Sequence, residues 1–138
     1  MIDSEFTKYA LVLIDGDKII YTASGAGLAP LWDCLEKFRD NGGRFTLFDK
    51  VVGLAAARLM VYSGIIEAVL TPLVSKPAKQ FLEENGVRIS ADQVVANILR
   101  KDKSAICPGE VMAMGTENRD DYLAGVKAML AGKRIKVL

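Results

Sequence analysis

The side chains that could do chemistry sit in a few short stretches. Phe48-Asp49-Lys50, running on toward Gly53, sets a carboxylate and an ammonium group at the start of an apolar helix. Thr71-Pro72-Leu73-Val74-Ser75-Lys76 sets a hydroxyl and a second ammonium group at the start of the next one. The unpaired N–H groups of a helix start suit anionic or carbonyl groups. Both junctions are therefore candidate ligand-binding walls, through Asp49, Lys50, Gly53, Ser75 and Lys76. The plainer alternative makes Asp49 and Ser75 helix caps and leaves the lysines solvated. Ser24-Gly25-Ala26-Gly27 offers a third wall through Ser24 and Gly25, although it matches neither a P-loop nor a full dinucleotide fingerprint. Cys107-Pro108-Gly109-Glu110 could supply a thiol activated at a helix start, with Glu110 or a lysine assisting. A buried, inert thiol is the competing expectation. Cys34, between Leu31 and Leu35, reads as packing.

Composition removes many reactions. The 138 residues include no histidine, so imidazole catalysis and His-ligated metal sites are excluded. With only two cysteines, a four-cysteine zinc site within one chain is excluded as well, and neither a metal nor a cofactor is expected. The 18 basic residues against 17 acidic ones leave a net charge of +1, without the basic excess of a general nucleic-acid surface. An apolar fraction of 51% argues for one compact domain with a sizeable core. Glu83-Glu84 and Asp120-Asp121 lie on polar helix faces and read as solvated charges. The most apolar stretch, Val51 to Ser75, carries Arg58 and Glu67 and is broken by Gly64 and Pro72, which disfavours a membrane span. An acidic N-terminus without a signal-peptide pattern makes the cytoplasm the expected location.

The elements that must position these residues follow from periodicity and turn chemistry. Tyr9–Ile14 and Lys18–Thr22, joined at Asp15-Gly16-Asp17, form a hairpin. Leu28, Leu31, Trp32, Leu35 and Phe38 keep helical spacing up to Asn41-Gly42-Gly43. Arg44–Phe48 reads as a strand, with Asp49 as N-cap of a buried helix over about Lys50–Tyr62. Ile65–Leu70 is a further strand, broken by Thr71-Pro72, and a helix runs from near Ser75 to Asn85-Gly86. Val87–Ile89 is a short strand, and Ser90 with Gln93 makes a capping-box pair ahead of Val94, Val95, Ile98 and Leu99. Arg100–Ser104 is a charged connector and Ala105–Glu110 a tight segment. A closing helix starts near Asn118, with Lys133 and Arg134 just past its end. The order β-β-α-β-α-β-α-β-α-α implies an α/β fold: a three-layer α/β/α sandwich, its sheet mainly parallel with the hairpin at one side.

Several stretches together resemble a known family. They are Ser24–Leu31, Asp49-Lys-Val-Val-Gly-Leu-Ala-Ala-Ala57, Gly64–Val69 with Val74–Ala78, and Ile106-Cys-Pro-Gly-Glu110. The family consists of small uncharacterised prokaryotic proteins, a domain of unknown function with a cytidine-deaminase-like fold that lacks the deaminase zinc site. The resemblance spans roughly residues 9–111 of a single domain, 1–138, and leaves Gly115–Leu138 as an added helical segment over a sheet edge or an interface. Deaminases carry zinc ligands at the starts of two successive helices. The resemblance puts those positions at Asp49-Lys50-Val51 and Pro72-Leu73-Val74-Ser75, where no histidine or cysteine stands. Zinc-dependent deamination is thereby excluded, and what the resemblance implies is a retained cleft with other chemistry.

Three functions compete. The leading one is a site for a small anionic metabolite or nucleotide at the paired helix starts. The second is a structural or regulatory homodimer using apolar surface near the final helix. The third is a thiol enzyme using Cys107.

Overall fold

A computed structural model of the protein describes residues 4–99 and 105–136. A single 3-10 turn, Phe6–Lys8, leads into strands β1 (Leu11–Asp15) and β2 (Lys18–Ala23), then helix α1 (Ala29–Phe38) and strand β3 (Phe45–Asp49). Helix α2 (Leu54–Ser63), strand β4 (Ile66–Ser75), helix α3 (Lys76–Glu84) and strand β5 (Arg88–Val95) follow. Helices α4 (Pro108–Gly115) and α5 (Arg119–Lys136) complete the described chain. One sheet runs β2-β1-β3-β4-β5. β1 is antiparallel to both β2 and β3, whereas β3, β4 and β5 are parallel. The fold is thus mixed α/β with the expected hairpin at one side, and Gly16 takes a positive φ of 65° in its turn.

The two faces of the sheet differ. Leu11, Leu13, Phe45, Leu47 and Val69 on one face share a single core cluster with buried residues of α1, α2, α3, α4 and α5. On the other face Val12, Ile14 and Phe48 pack with Phe6, Tyr9 and Leu70. Among the described residues no helix residue of α1–α5 joins that second cluster.

The sequence-based element order is met, but not every element lies where expected. Asp49 is not the N-cap of α2. Val52 N–H donates to Leu73 O at 2.9 Å and Ser75 N–H donates to Val52 O at 3.0 Å, an extra rung that holds Val52 alongside β4 ahead of the helix. Gly53 is the cap residue instead. β4 does not stop at Thr71-Pro72. Leu73 and Ser75 use their backbone groups toward Val52, so the missing N–H of Pro72 falls on the β5 side, where the register passes over that step.

The same ladder overrides the capping-box pair. Ser90 and Gln93 lie inside β5, paired with Leu70 and Leu73, and no helix runs over Val94–Leu99. Its place in the order is taken by α4, over a segment read as a tight connection. Helix α5 begins as expected, with Asn118 Oδ1 accepting the Asp121 N–H at 3.0 Å. It continues through Lys133 and Arg134 to Lys136. The expected connector Arg100–Ser104 lies outside the described residues.

Candidate functional site at the carboxyl end of the parallel strands

The register brings the singled-out junctions to one end of the sheet. Ala23 and Asp49 both face Leu11, so the Ser24-Gly25 loop and the end of β3 lie one strand apart. The Val52–Val74 bridge then sets the start of α2 beside Ser75, the residue that begins α3. The two helix starts expected to be neighbours are neighbours.

Asp49 points to the helix-covered face, like Leu47 and Phe45 two and four residues before it. The nearby N–H groups of Val51 and Lys50 favour the charged carboxylate, although the Lys50 N–H donates to Ala10 O at 3.0 Å, and desolvation outweighs them and pushes the Asp49 pKa up to about 7. Cys34 of α1 is close enough to feel that carboxylate. Burial first, and the Asp49 charge second, push the thiol up to about 12. Cys34 is fully buried and inert, the packing role expected of it.

The start of α2 already holds an anion, and the chain supplies it. Glu110, in the first turn of α4, accepts the Leu54 N–H at 2.7 Å and the Ala55 N–H at 2.8 Å. These are the orphan donors that a helix start offers to a carboxylate or phosphate. Gly53 makes the approach possible, since a Cβ there would collide with the Glu110 carboxylate. Glu110 is buried, and its desolvation raises its pKa despite those two hydrogen bonds. The carboxylate named as a helper for thiol chemistry is therefore committed to closing a helix.

At the second junction Ser75 caps α3, its Oγ accepting the Ala78 N–H at 3.3 Å. The plainer reading of that serine is the structural one. Lys50 and Lys76 are exposed, as are Ser24 and Gly25. Gly25 holds a φ of 115°, a backbone that side-chain-bearing residues rarely adopt. Cys107 is half-buried at the start of α4, its N–H donating to Ile98 O at 3.0 Å.

Sequence reasoning missed Arg58. The residue is 4% exposed, and its guanidinium is stacked 4.0 Å from the Tyr122 ring centroid. It donates to the carbonyls of Ala113 (2.7 Å), Thr116 and Glu117 (3.2 Å), at and just past the end of α4, and to the Tyr62 hydroxyl (2.9 Å). So α2 and α4 close each other reciprocally: an acid from α4 sits on the positive end of α2, and a base from α2 sits on the negative end of α4. A lone arginine in an otherwise apolar helix was the one signal that could have pointed to it.

Elsewhere a groove of about 540 Å³ runs between α1, α2 and α5, lined by Trp32, Arg39, Tyr62, Arg119 and Lys127 among others. It shares no residue with the cluster at the sheet end. Among the described residues no group of three or more His, Cys, Asp or Glu could hold a metal ion. No described helix is long and apolar enough to cross a membrane.

A mixed five-stranded sheet, helices that start from one end of it, and an acid that caps a neighbour's start define a small α/β domain, in which the described residues form no recognisable catalytic constellation. By its sequence the chain belongs to the TM1506 family, a domain of unknown function (DUF1893), whose model matches residues 4–130. That match takes in most of α5. A similar solved structure is the crystal structure of a DUF1893 family protein, TM1506, from Thermotoga maritima. It is 23% identical, the alignment covers 91% of this chain and 83% of that one, and the TM-score is 0.77. At that identity the likeness is one of fold. No curated protein matches.

Proposed function

We propose that the protein binds a small anionic metabolite or nucleotide at the carboxyl end of β3 and β4, beside the starts of α2 and α3. The observation that carries this reading is the convergence at one end of the sheet of the segments bearing Ser24, Asp49 and Ser75, with burial raising the Asp49 carboxyl to about 7. Open α/β sheets bind ligands outside the carboxyl ends of their strands. Because Glu110 already fills the α2 start, the ligand's anionic group would meet Lys50 and Lys76, and Asp49 would be the group able to take or give a proton. The side-by-side starts of α2 and α3 also support a deaminase-like fold with the zinc positions vacated by Asp49-Lys50-Val51 and Pro72–Ser75. On this reading a thiol reaction at Cys107 loses Glu110 as its assisting acid.

A thermal-shift screen against nucleotides, nucleosides and inorganic phosphate tests the proposal. A ligand at 100 times its dissociation constant should add about 2.7 kcal/mol of stability. Lys50→Ala should abolish that shift while leaving the unliganded melting point near the parent's. A flat screen on well-folded protein would overturn the reading.

A second reading, a homo-oligomeric module, is favoured by large apolar side chains left open at both edges of the sheet. Ile19 on β2 is 47% exposed and Val94 on β5 is 43% exposed.

A further inference from the structure

We infer that the outer edge of β5 pairs with the same edge of a second copy of this chain, antiparallel, about a two-fold axis at Ser90. This rests on the oligomeric reading and names its surface. β5 ends the sheet. Of its eight residues all but Asp92, which lies level with Pro72, pair with β4, in one register throughout, and it contains no proline. The opposite edge is blunted by the irregularity between Leu13 and Ile14 in the β1–β2 pairing. A long, regular, unbulged edge is a template for another strand unless something protects it.

The side chains of β5 complement themselves. A two-fold interface must be self-complementary, each residue meeting its counterpart's partner. With Ser90 opposite Ser90 of the second copy, Arg88 faces Asp92 of that copy and Asp92 faces its Arg88, all on one face. On the other face Ile89 and Ala91 meet each other. Both are half-buried against the main core, so the helix-side core would continue across the seam.

Slipping the register by two residues puts Arg88 against Ser90 or Val94 and loses both ion pairs. Slipping by one sends the side chains to the wrong face. Asp92 is exposed and has no ion-pair partner among the described residues. Arg88 contacts Glu67 at 3.3 Å, with its side chain 75% exposed. The second copy would give Asp92 its counterion and place Arg88 between two acids.

The test is the oligomeric state of the whole chain by sedimentation across a concentration series, for the parent, Arg88→Asp, Asp92→Arg and the double variant. We expect a dimer whose dissociation constant rises about tenfold or more in each single variant, through like-charge juxtaposition, and recovers in the double variant. Because these are surface residues, circular dichroism should show an unchanged fold. A Ser90→Cys, Cys107→Ser variant should cross-link to a covalent dimer on mild oxidation, independently of the charge variants. A parent that stays monomeric, with no Ser90→Cys cross-link, would overturn both this inference and the oligomeric reading. A dimer indifferent to the charge changes and not linked through position 90 would overturn the β5 edge alone.

Discussion

Asp49 is a carboxyl whose burial takes it far from its ordinary chemistry. An unfolded aspartate titrates near 3.8, and burial moves this one to about 7 in the folded protein. Between those values the folded state holds a proton that the unfolded state has lost. Stability therefore falls as pH rises from about 4 through 7 and is lowest above it. Asp49→Asn keeps an oxygen beside the Lys50 and Val51 N–H groups but carries no charge to desolvate. The variant should match the parent near pH 4 and exceed it increasingly toward pH 8, by at most about 4 kcal/mol. Melting curves across that range check it, and a parent-to-variant gap that does not widen with pH would show that the carboxyl is not desolvated. Glu110, also raised by burial, contributes with the same sign in both proteins and leaves the gap unaffected.

At the scale of elements, the pairing of α2 with α4 shows why a helix of eight residues can stand here. Helices that short are marginal in isolation. Glu110 and Arg58 each close one end of the partner helix, and α4's last carbonyls go to a buried guanidinium rather than to water. Arg58→Met would keep much of the stem's packing while leaving those carbonyls and the Tyr62 hydroxyl without their donor. An orphaned buried group such as the Ala113 carbonyl costs about 1–3 kcal/mol and the part-buried ones less, so a total loss of roughly 3 kcal/mol is expected. The melting point should fall by roughly 10 °C. A fall within a degree or two of the parent would mean that water replaces the arginine freely.

At the scale of the whole molecule, α5 belongs to the core. Tyr122, Val126 and Leu130 are buried in the main cluster, and the Tyr122 hydroxyl donates to Ala55 O at 2.9 Å. Leu130→Ala should cost about 2–5 kcal/mol, as core truncations do. A loss below about 0.5 kcal/mol in chemical denaturation would make α5 a detachable addition. The sequence by itself determined the local elements: the β1–β2 hairpin from its Asp-Gly turn, α1 and α3 from their apolar spacing, and α3's start from Ser75. It also determined that the ends of β3 and β4 converge, because alternating strands and helices leave few ways to connect. What only the tertiary structure decided rests on partners distant in sequence. Pairing with β4 carried β5 through a local capping signal, and the Val52 rung moved the start of α2 past Asp49. Glu110 found its two amides 55 and 56 residues away. Backbone groups must be satisfied wherever the chain packs, and no local pattern records which distant side chain will do it.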